Sequence, residues 1–216
     1  MKNTIRNDSV HILKHIPTIE NIDAARKTFR EKEPRDLFYR VATELIELSI
    51  RNETKVTVPE ALAVLLQTWN KNFYRFHRTS SENQLAEIEE LYDNFKPQID
   101  VFRGRSIESF VANDHSVINT LFTQFENILG PVGAAKCLHL LAPKFFPLWD
   151  RAIANEYGIW LKTIKNNNAR LYLRFMAITM EQCNTLRKEG SNYHDLLKAI
   201  DEYNYCTYTL KMKINK

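Results

Sequence analysis

The chain predicts an all-α fold, compact and two-lobed, on three observations. Apolar residues recur at helical spacing over most of its 216 residues. Only five glycines interrupt them. Between the periodic stretches stand Ser, Asp, Gly and Pro at positions that cap or break helices. At a typical length of about 11–12 residues per helix, this predicts roughly eight to ten helices. With 44% apolar and 26% charged residues, the chain has the makeup of a globular protein, not a disordered one.

The elements follow in order. "PRDLFYRVATELIELSIRNET" opens on Pro34 and Asp36 as start signals. Its apolar stripe runs through Leu37, Val41, Leu45 and Leu48, with Ile46 and Ser49 one step off. "VPEALAVLLQTWNKNFYRF" has Pro59 near its first turn and Leu62, Leu65, Leu66, Trp69 and Phe73 on one face. "SSENQLAEIEELYDNF" begins with a capping serine and acidic first turns, and Pro97 is expected to stop it. "DHSVINTLFTQFENIL" is amphipathic and ends at Gly130. "NNNARLYLRFMAITMEQCNTLRKEG" and "NYHDLLKAIDEYNYCTYTL" complete the chain, with Gly190 between them. No internal repeat, low-complexity tract or linker divides these elements, so residues 1–216 read as one domain.

Several function classes are disfavoured. No run of about 18 apolar residues predicts a membrane span. "MKNTIRNDSVHILKHIPTIE" lacks the apolar core of a signal peptide, so a cytoplasmic location is expected. Cys137, Cys183 and Cys206 are widely spaced and form no ligand motif, so neither an iron–sulfur cluster nor structural zinc is expected. His11 and His15 stand four apart with no third ligand near, and no metal or cofactor is read from them. A net charge of +4 permits contact with a phosphate backbone without requiring it.

The densest stretch is "GPVGAAKCLHLLAPKFFPLWD", residues 130–150. A helix ends at Leu129, turns through Gly130, Pro131, Val132 and Gly133, and restarts as "AAKCLHLLA". The N–H groups of a restarting helix point outward and suit one phosphate. The short helix ends before Pro143, and "KFFPLWD" leads to Asp150 at the N-cap of "RAIANEYG". His139, on an apolar face, reads as a packed, hydrogen-bonded histidine, and Cys137 as a small apolar residue.

"VG", a short helix and "FPLWD" together resemble the helix-hairpin-helix DNA glycosylase superfamily, as a divergent member. The likeness rests on Val132 and Gly133 at the end of a hairpin near 121–142, and on Phe146, Pro147 and Asp150 in a loop over 143–151. Pro131 stands where that family has its first hairpin glycine, and Ala135 where some members carry a Schiff-base lysine. Lys136 is one residue further, about 100° around an ideal helix. The resemblance implies a DNA N-glycosylase that takes a flipped nucleotide out of a duplex, with no cofactor. It implies Asp150 as the catalytic carboxylate, with Lys136 a second candidate, and Val132, Gly133, Ala134, Ala135, Lys136 and Arg151 as strand contacts.

The chemistry suits a carboxylate. Breaking an N-glycosidic bond builds positive charge on the sugar, which a nearby anion in a poorly solvated place stabilises. A flipped base also needs flat walls. Trp69, Asn70 and Tyr74 of "QTWNKNFYRFHR", with Trp149, are the candidates for that pocket. Arg103, Arg105, Lys165 and Arg170 could follow a strand backbone or form a solvated face. The same residues also fit a non-catalytic DNA-binding protein, or a helical protein-interaction module in which Asp150 is only a cap.

Overall fold

Eight α-helices account for most of the computed structural model, which describes residues 16–34, 36–69, 81–162 and 167–212. They are α1 (Ile19–Lys32), α2 (Asp36–Ile50), α3 (Val58–Trp69), α4 (Ser81–Arg103), α5 (His115–Leu141), α6 (Arg151–Glu156), α7 (Ala169–Lys188) and α8 (Leu196–Asn204). Two 3₁₀ turns, Ile107–Ser109 and Ala112–Asp114, join α4 to α5, and a π-helical turn, Tyr205–Thr209, follows α8. No strand occurs among the described residues, and no helix there is long and apolar enough to cross a membrane.

α2 and α3 pack as neighbours, α4 and α7 flank α5, and α1 packs chiefly on α8 and the π turn. The buried apolar residues form one continuous cluster around α5, with Phe122, Phe125, Leu129 and Leu138 meeting Tyr172 and Phe175 of α7. A satellite of Ala25, Phe29 and Cys206 lies apart from it under α1. Cys137 and Cys183 belong to the main core, and all three thiols are free.

Three elements differ from the periodicity reading. α4 does not stop at Pro97 but runs through it to Arg103. An interior proline costs about 3 kcal/mol, and Ile99 and Phe102 beyond it are buried in the core and offset that cost. In α2 the buried residues are Ala42 and Ile46, while Leu37 and Val41 of the expected stripe face outward. On the inward face Tyr39 also reaches buried His139 through its hydroxyl. α1 lies outside the expected elements. Its buried residues are only Ile22, Ala25 and Phe29, too sparse a stripe to stand out in a charged segment.

The backbone turns most sharply inside α5. Gly130 has φ 69° and ψ 171°, a region open essentially to glycine alone. Pro131 then starts the second half-helix, where its missing N–H costs nothing. The expected four-residue turn is therefore a break at one residue.

Candidate functional site

The loop between α5 and α6 is shaped by three hydrogen bonds to its own carbonyls and side chains, two of them fully buried. His139 Nδ1 lies 2.8 Å from the carbonyl of Phe146, and the Tyr172 hydroxyl donates to the carbonyl of Pro147 at 2.8 Å. Trp149 Nε1 donates to the carbonyl of Pro131 at 3.0 Å, which ties the loop to the break in α5. Phe145, Phe146 and Trp149 are buried, and Trp149 meets Phe122 and Tyr172 edge to face.

The tautomer of His139 follows from its partners. A carbonyl only accepts, so Nδ1 carries the proton, Nε2 is bare, and the Tyr39 hydroxyl donates to it at 2.9 Å. Burial lowers the imidazole to about 4, so it is neutral near pH 7. It is a structural histidine.

This frame delivers Asp150 to the start of α6. Its Oδ1 accepts from the backbone N–H of Ile153 at 2.8 Å, the N-cap bond expected from sequence. Its Oδ2 accepts from the Thr209 hydroxyl at 2.6 Å. Two neutral donors thus fix the carboxylate's orientation.

Asp150 opens into a cavity of about 240 Å³, and Lys136 from the second half of α5 lines the same cavity. Trp149, Leu148 and Ile153 give it an apolar lining, and Phe29, Glu33 and Tyr205 line it as well. Lys198 and Asp201 of α8 complete it, with Lys198 Nζ 3.2 Å from Asp201 Oδ2. Burial pushes the Asp201 carboxyl up, Lys198 and Lys136 draw it down, and the charge of Asp150 raises it. Two lysines and three carboxylates therefore share one small, largely apolar space.

The remaining sequence-predicted residues fall differently. Gly133, Ala134 and Ala135 are buried, so they offer a strand no accessible backbone here, and the expected phosphate site shrinks to the partly exposed Val132. The cause is the single-residue break, which turns that stretch into packed helix. Arg151 is exposed next to Asp150 and donates to the carbonyl of Leu161 at 3.2 Å. Arg103 and Arg105 are committed within the fold, the first to Glu47 and the carbonyl of Leu141, the second to Asp114. The side chain of Trp69, with Asn70, Tyr74 and Lys165, lies outside the described residues.

Besides the aliphatic Leu148 and Ile153, six cavity residues escaped the sequence reading: Phe29, Glu33, Lys198, Asp201, Tyr205 and Thr209. A signal existed for part of the set. Lys198, Asp201 and Tyr205 stand at i, i+3 and i+7, one helical face that runs from α8 into the π turn.

Comparison of the chain with family models, with curated proteins and with solved structures finds no match.

Proposed function

We propose that the chain is a DNA N-glycosylase that hydrolyses the bond between deoxyribose and a damaged or enzymatically modified base. The observation that supports this reading is the meeting of Asp150 and Lys136 at one small cavity with aromatic walls. A cavity of about 240 Å³ takes one planar group and not a length of strand, so the nucleotide must be flipped out of the duplex to enter.

In the proposed reaction the C1′–N bond breaks and its electron pair leaves with the base. Asp150, oriented by Ile153 N–H and the Thr209 hydroxyl, stabilises the positive charge on the sugar. A water attacks C1′ and its proton passes to the Asp150 carboxylate. The products are a free base and an abasic site. Lys136 supports the strand by charge in this hydrolytic form. Were it the nucleophile, its amine would bond to C1′ as the base leaves and yield a Schiff base.

The test is incubation with duplexes carrying oxidised, alkylated, deaminated and hypermodified bases, with free base read by mass spectrometry. Base release with alkali-labile strands establishes hydrolysis. Strand breaks without alkali, trapped by borohydride, assign the nucleophile to Lys136. DNA binding without release of any base favours the non-catalytic binder, and neither binding nor release leaves Asp150 a cap alone.

A further inference from the structure

We propose that α1 is a hinged lid over the Asp150 cavity, held shut by a charged latch to α8. The inference concerns access to the cavity and stands apart from what the cavity holds.

α1 forms one wall of the cavity, through Phe29 and its C-cap residue Glu33. It packs chiefly on α8 and the π turn, and its share of buried apolar side chains is small: Ile22, Ala25 and Phe29. Most of what fastens it is polar. Arg26 makes paired bonds to Asp195 at 3.0 and 2.7 Å and lies 3.0 Å from Glu202. Asp23 accepts from the Tyr193 hydroxyl, and Glu33 from the Tyr205 hydroxyl at 3.0 Å. Lys198 Nζ sits 4.6 Å from the centre of the Phe29 ring. Groups of this kind are well solvated once released, so parting them costs less than parting an apolar interface of equal area. Lifting α1 would remove Phe29 and Glu33 together and widen access to Asp150 and Lys136, which are partly exposed with α1 in place. Of the buried side chains of α1 only Ile22 belongs to the main core, while Ala25 and Phe29 belong to the smaller satellite with Cys206.

A natural reporter lies under the lid. Cys206 is fully buried, and its thiol points at the carbonyl of Ala25 at 3.7 Å. Burial pushes that thiol up to about 11, so the shut form presents no reactive thiolate near neutral pH. Cys137 and Cys183 lie in the main core and serve as internal controls.

The experiment treats the native full chain with N-ethylmaleimide and follows each cysteine by peptide mass spectrometry. Cys206 is expected to react roughly ten- to a hundredfold faster than Cys137 and Cys183. Arg26→Ala, and the milder Asp195→Asn, should speed Cys206 further and leave the other two unchanged. Because Arg26 is on α1, that sensitivity assigns the opening to the lid and not to fraying of the C-terminal turn. Cys206 reacting no faster than the core cysteines overturns the proposal, as does a Cys206 rate indifferent to both substitutions. Neither result bears on base release, so the lid and the glycosylase reading fail separately.

Discussion

The cavity has two walls built on opposite physics. The 143–150 loop is clamped by neutral hydrogen bonds from His139, Tyr172 and Trp149 among aromatic rings that meet edge to face. α1, which also lines the cavity, is fastened by Arg26, Asp195, Glu202 and two tyrosine hydroxyls beside buried Ile22, Ala25 and Phe29. Aromatic burial is non-directional in its driving force and unforgiving of gaps, so it fixes a carboxylate in place. Charged groups regain their hydration once parted, so they suit a part that comes off. One wall positions and the other admits.

The largest expected effect breaks the rigid wall. Trp149→Ala removes a fully packed ring and its hydrogen bond to the Pro131 carbonyl, which should cost about 3–5 kcal/mol in denaturant unfolding. A loss under about 1 kcal/mol would show that the loop is not held by its aromatics. Next comes Gly130→Ala, expected to cost about 1–3 kcal/mol because any Cβ is strained at φ 69°. Its thermal midpoint, measured beside Gly190→Ala at a solvent-exposed helix end, checks that the break in α5 is more demanding than an ordinary stop.

On the charged wall, burial raises the Glu202 carboxyl from 4.5 to about 7, more than Lys198 and Arg26 lower it. The folded state thus holds a proton that the unfolded chain gives up. Glu202 favours the fold fully below about pH 4.5, and that contribution is lost as pH rises to about 7. Glu202→Gln should therefore gain stability over the wild type between pH 5 and pH 8, by about 1–2 kcal/mol. A constant difference across that range would contradict the burial argument. The smallest effect belongs to neither wall: breaking the exposed Lys96–Asp100 pair with Asp100→Ala should cost under about 0.5 kcal/mol.

What the sequence made legible follows the same division. The Asp150 cap, the stop at Gly190 and the helical core faces at Leu62, Leu65 and Leu66 are local signals, and they were readable as such. The break at Gly130 was readable in place but not in form, since a proline at N1 lets the helix restart at once. Pro97 misled because tertiary packing outweighed a local penalty. Leu37 and Val41 misled because two faces of α2 have helical spacing, and the choice between them rests on distant contacts such as that of Tyr39 with His139, 100 positions away. The releasable wall was illegible for that reason too, as Arg26 and Asp195 are 169 positions apart. A latch of charges has no period to read.

The central claim is that Asp150 does chemistry besides capping α6. Asparagine caps a helix about as well as aspartate, so Asp150→Asn should leave the thermal midpoint nearly unchanged. The most direct measurement is base release from the modified-base duplexes by the wild type and Asp150→Asn side by side, each shown to be folded. The account predicts release by the wild type and a loss of roughly a hundredfold or more in the variant. Equal release by both proteins, or none by the wild type, would contradict it.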